Sequence, residues 1–222
     1  MPPCCSFPND GHRHLGLGQR ARLARRLAGP PGPPAVLWGG CGHGLRVSTR
    51  PWTRFGIIAF VGHLGYELAA GVAVPFAPHL GVRAGAAVSI TPIAACYVPA
   101  GRLPSPRGDR TFAVVNGFFL AAVVAHYASW PRAWHVGVPW LTECEGLEGT
   151  VAGPYNVLLQ GSGLAAVAGL VENRSQWRWG AATTLLATPV LRWATPREYA
   201  RLKDQAARCP RWWNRRLVGR SR

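Results

Sequence analysis

Lysine is nearly absent from this chain: Lys203 stands alone against 24 arginines. Acidic side chains are scarce too, nine in 222 residues, so the 25 basic groups leave a net charge of +16. Met1 is the only methionine, and Ala, Gly and Pro are abundant, a pattern of GC-rich coding more than of selection for one function. Cysteine is sparse and irregular. Its six copies, at 4, 5, 41, 96, 144 and 209, share no repeating spacing, which argues against a small disulfide-stapled secreted scaffold. Apolar residues are not lacking: at 48%, with ten Trp, they exclude a chain disordered throughout.

The most informative absence is that of charge over long stretches. Between Arg54 and Arg83 the only charged residue is Glu67, and 84–101, 111–131 and 149–171 contain none. Crossing about 30 Å of hydrocarbon takes about 20 helical residues, which fits the first, third and fourth stretches and makes the second marginal. The fold class expected is therefore an all-α, polytopic integral membrane helical bundle. Four transmembrane helices are placed at 55–75, 84–101, 112–130 and 153–171. A fifth apolar stretch, 177–193, is short and framed by Trp177, Trp179, Arg192 and Trp193; it reads as interfacial or re-entrant, with a full span as the alternative.

Charge orients the bundle. With four spans and a cytoplasmic N-terminus, 23 of the 25 basic residues fall inside, against Arg83 and Arg132 outside; if 177–193 also spans, the split becomes 13 to 12. The positive-inside bias favours four spans, with both tails cytoplasmic in a cell membrane, Cys209 inside and Cys144 outside. Three regions follow: a basic, Pro/Gly-rich N-terminal tail at 1–50 of disordered composition, a transmembrane domain at 51–193, and a basic C-terminal tail at 194–222. Residues 1–26 lack the apolar core of a cleavable signal. The partners expected are the bilayer, its anionic headgroups and a further membrane protein. Nucleic acid is disfavoured, because no reader motif accompanies the charge.

Chemistry is expected where polar groups enter the apolar layer. An intramembrane carboxylate is expensive to insert, so Glu67 is the first candidate, with His63 one helical turn before it on the same face as a catalytic partner. Counting back from Pro75 places Glu67 about 12 Å and His63 about 18 Å below the outer end. His126, Asn156 and Gln160 are expected to share a polar cavity with them. The same count separates His63 from His126 by roughly 12 Å, too far for a shared haem. Above the cavity, the 130–153 loop holds His135, Glu143, Cys144, Glu145 and Glu148, a concentration of carboxylates suited to a divalent cation or a cationic solute. None of the established zinc spacings is present, so no metal site is assigned, and no cofactor is read from the chain.

The leading functional reading is a small multi-pass membrane protein acting by membrane-associated interaction through its basic tails and aromatic loop. Two alternatives use Glu67 directly. One is an intramembrane enzyme acting by acid–base catalysis on a lipophilic, isoprenoid-like substrate; the other is a small proton- or cation-coupled transporter.

Overall fold

The computed structural model describes residues 49–72 and 74–218, so nearly all of the tail expected at 1–50 lies outside the described residues. The described chain is mostly helical. Its elements are α1 (Pro51–Ala70), α2 (Ala77–Leu80), α3 (Val82–Ala95), α4 (Tyr97–Ala100), α5 (Arg107–Ser129), α6 (Ala152–Glu172) and α7 (Trp177–Arg208). Between α5 and α6 lie two antiparallel hairpins: β1 (Arg132–His135) with β2 (Val138–Leu141), and β3 (Glu143–Cys144) with β4 (Leu147–Glu148). Two helical stretches, Val82–Ala100 and Arg107–Ser129, are long and apolar enough to cross a membrane. That is coarser support for membrane association than the four spans expected.

Local chemistry explains where α1 starts and stops. Pro51 occupies its first turn, where a missing N–H costs nothing. The free amides of Trp52 and Thr53 are capped by the Glu172 carboxylate from the end of α6, at 2.7 and 2.9 Å. At the other end Gly71 takes a left-handed φ of 84°, its N–H bonds Leu68 O, and the Val72 N–H bonds Glu67 O at 3.1 Å. This pair of reversed bonds ends the helix at Ala70, not near Pro75 as expected.

The hairpin turns are built alike. Val136 and Gly137 have φ of 50° and 77°, and Glu145 and Gly146 have φ of 49° and 90°. Both turns thus have two left-handed central residues, the geometry that matches strand twist in a two-residue loop.

Five helical passes run between two ends of the bundle. At one end Arg50 bonds the carbonyls of Ala100 and Leu103 and the side chains of Asp109 and Asn173. The start of α1, the end of α4, the start of α5 and the end of α6 therefore meet there. Helix α7 starts at the same end, where Ser175 just before it bonds Asp109, and then runs parallel to α5. Arg110 lies over Trp179, Thr184 donates to the Gly117 carbonyl at 3.0 Å, and Trp130 meets Tyr199 edge-on at 5.1 Å. A Cβ on Gly117 would collide with the Gly180 backbone, so these two glycines let α5 and α7 touch along their backbones.

Two expectations are corrected by this arrangement. The segment at 177–193 is the first half of a 32-residue helix that contains Pro189 and Pro196 and runs the length of the bundle. The C-terminal residues accordingly lie at the hairpin end, opposite Arg50, and not beside it. Arg215 and Arg216 donate to the carbonyls of Ala69 and Ala70 at 3.1 and 2.8 Å, and the Arg216 N–H bonds Gly71 O. Guanidinium groups at a helix C-terminus complement its unpaired carbonyls and dipole. Helix α7 packs along α5, and Trp213 and Leu217 pack into the hairpin-end core.

Candidate functional site

Glu67 lies in the last turn of α1, 3% exposed, with His63 one turn below it. His63 Nε2 is 3.1 Å from Glu67 Oε1. Tyr155, near the start of α6, donates its hydroxyl to the same oxygen at 3.1 Å and lies 3.5 Å from His63 Nε2. The Cys144 thiol donates to Tyr155 Oη at 3.3 Å. From α5, His126 meets the His63 ring edge-on with centroids 5.3 Å apart, and its Nδ1 lies 2.7 Å from the Ala122 carbonyl. His63, Glu67 and His126 each present a ligand atom within 4.8 Å of the other two.

The separation of about 12 Å expected between the two histidines is therefore wrong, and the reason is local. Helix α1 stops five residues earlier than Pro75, which brings His63 closer to the hairpin end, while α5 ends at Ser129, so both rings reach one level. Their edge contact leaves no room for a macrocycle between them.

A cavity of about 350 Å³ adjoins the cluster. His63, Glu67 and His126 line it together with Glu145 and a mainly apolar wall that includes Phe60, Ile93 and Leu191. Val88 and Phe118, which also line it, are 51% and 37% exposed on the outer surface, so the cavity opens sideways between α3 and α5. A second cavity of about 410 Å³ at the hairpin end shares Phe76, Glu145, Leu191 and Thr195 with the first.

The expected site residues are sorted by this geometry. His63, Glu67 and His126 lie together. Asn156 does not face the cavity: it is buried and clamps β2 to α6, accepting from the Leu141 N–H at 2.7 Å and donating to the Leu141 carbonyl at 2.9 Å. Gln160 donates to the Pro139 carbonyl at 3.1 Å, a second tie between helix and hairpin. The loop residues are dispersed by strand alternation. His135 is exposed beside Trp140 on the first hairpin, and Glu143 pairs in register with Glu148 on the second. Cys144, expected to be exposed, is 1% accessible; burial raises its thiol well above the ordinary range. Of the loop carboxylates only Glu145 reaches the cavity, and burial there, reinforced by the charges of Glu67 and Glu198, raises its pKa well above the usual carboxylate range.

Tyr155 is the residue of this cluster that sequence reasoning missed. It directly precedes Asn156, and the neighbouring Pro154 and Gly153 mark the first turn of α6 at the level of the hairpins, which is the signal that locates it. No protein-family model, curated protein or solved structure matches the chain.

Proposed function

We propose that the protein is a multi-pass membrane enzyme that exchanges a proton with a lipophilic substrate held in the 350 Å³ cavity. One observation carries the reading: a buried carboxylate, Glu67, fixed by His63 and Tyr155, lines an apolar cavity that opens sideways. In this reading Glu67 is the acid or base at the substrate, His63 orients it and shares its proton, and Tyr155 holds the same carboxylate oxygen. An isoprenoid-like chain matches the walls, since Phe60, Phe118, Val88 and Ile93 offer contact without polar partners.

The membrane placement that goes with it has all five passes crossing, with the Arg50 end and the hairpin end on opposite faces. Its support is the reversal of polarity between interior and surface. Leu164, Leu185 and Leu186 are each more than seven-tenths exposed, whereas Thr53, Asn116, Asn156 and Ser162 are fully buried. Interaction through a basic C-terminal tail is the weaker reading, because Arg215 and Arg216 are already engaged with α1.

The test compares membranes from cells making the parent chain or Glu67→Gln at equal levels by untargeted lipid mass spectrometry. The reading predicts at least one lipophilic species consumed and one formed with the parent alone. Identical profiles from parent, variant and empty cells contradict it.

A further inference from the structure

We propose that His63, Glu67 and His126 hold one divalent transition-metal ion of the zinc class. Two imidazoles and one carboxylate are a recurrent protein ligand set for zinc in catalytic sites, with a further position left open. Here the three ligand atoms lie within 4.8 Å of one another before any ion draws them in. With metal–ligand bonds of about 2.05 Å, the edges of a tetrahedral shell measure about 3.4 Å, so the triad has to close by no more than about 1.4 Å. Side-chain rotation supplies that much without moving α1 or α5.

The surroundings fit ligands more closely than they fit a plain ion pair. His126 Nδ1 faces the Ala122 carbonyl at 2.7 Å; a carbonyl only accepts, so Nδ1 carries the proton and Nε2 keeps its lone pair. Tyr155 steadies the Glu67 carboxylate by donating to one oxygen, as partners behind metal ligands commonly do. His63 Nδ1 is buried with no hydrogen-bond partner, so the cluster is incompletely satisfied as it stands. The same cavity provides the open coordination position. This inference rests on the enzymatic reading only for what the ion would do: a Lewis acid beside the cavity would polarise a substrate oxygen or a water molecule.

The experiment uses the purified full-length chain in lipid nanodiscs, stripped with chelator, reloaded with Zn²⁺ and dialysed. Metal is counted by elemental mass spectrometry, and Co²⁺ loading is read by its visible absorption. One ion per chain is expected in the parent, in His79→Ala, in His135→Ala and in a chain with His12, His14 and His43 all replaced. Glu67→Gln and His126→Ala should lose it. Tyr155→Phe should weaken binding by roughly 10–100-fold while keeping all three ligands. Thermal unfolding confirms that each variant is folded. A folded parent that retains no zinc, or zinc that persists in Glu67→Gln and His126→Ala, overturns the proposal. Lipid conversion is scored separately, so failure of the metal leaves the enzymatic reading standing, and failure of conversion leaves the metal site standing.

Discussion

Two buried polar clusters sit at opposite ends of the bundle, and they are satisfied to different degrees. Around Arg50 every guanidinium nitrogen is engaged, although Asn116 Oδ1, further along the same network through Thr53 and Asn173, is buried without a partner. The guanidinium makes four hydrogen bonds, including the 2.6 Å pair with Asp109, whose second oxygen accepts from Ser105 and Ser175. No cavity described above adjoins it. Around Glu67 one histidine nitrogen is orphaned, both bonds to the carboxylate fall on one oxygen, and an apolar cavity opens alongside. A buried charge with a partner on every nitrogen fixes helices in register, whereas a less fully bonded one beside a cavity has capacity left for a ligand. The first cluster holds the bundle together; the second is where chemistry can happen.

The largest effect expected belongs to the first cluster. Arg50→Met leaves Asp109 buried without its cation and should destabilise the protein by roughly 3–5 kcal/mol, read from unfolding in detergent. Loss of lipid conversion without loss of stability in this variant would break the division of labour between the two ends. Glu67→Gln should do the reverse, lowering conversion by about 10²–10⁴-fold while the unfolding midpoint stays close to that of the parent.

Smaller effects sharpen the contrast. Tyr155→Phe removes one hydroxyl that bonds Glu67 and Cys144, so stability should fall by about 1 kcal/mol. If both stability and conversion are untouched, Tyr155 is not holding the carboxylate. Cys144 and Cys209 then report on the hairpin end by alkylation. Cys209 is exposed and should react quickly from the same face as a cysteine placed at Gly137, whereas Cys144 should react only after unfolding. Its raised thiol pKa gives the sign with pH: the neutral thiol's stability contribution is complete below the ordinary value of about 8.5 and is lost as pH rises through the raised one. A Cys144→Ser chain should therefore lose less stability than the parent across that alkaline range, and equal losses would remove Cys144 as the cause.

Much of this architecture was legible before any coordinates. Charge-free runs located α3 to α6 to within about five residues, because apolar patterning sets helix positions directly. Glu67 and His63 stood out because a carboxylate in an apolar run is costly. Other features needed three dimensions. The end of α1 is set by Gly71 in a left-handed conformation followed by an apolar Val72, a helix-stop signal that Pro75 obscured. That shift of five residues is what hid the approach of His126 to His63. The length of α7 was hidden because its apolar part ends at Trp193, whereas the helix continues through Pro196 into the charged residues up to Arg208. Polar loop residues were grouped by their closeness in sequence, whereas strand alternation sends Cys144 inward, Glu145 to the cavity and Glu143 opposite Glu148.

The account turns on what occupies the space beside Glu67. A structure of the full-length protein in lipid nanodiscs, determined at side-chain detail, measures this directly. The account predicts an elongated apolar density entering between α3 and α5 and ending within contact of the His63, Glu67 and His126 side chains. A cavity collapsed onto its own side chains, with the three residues sealed from the lipid, would contradict it.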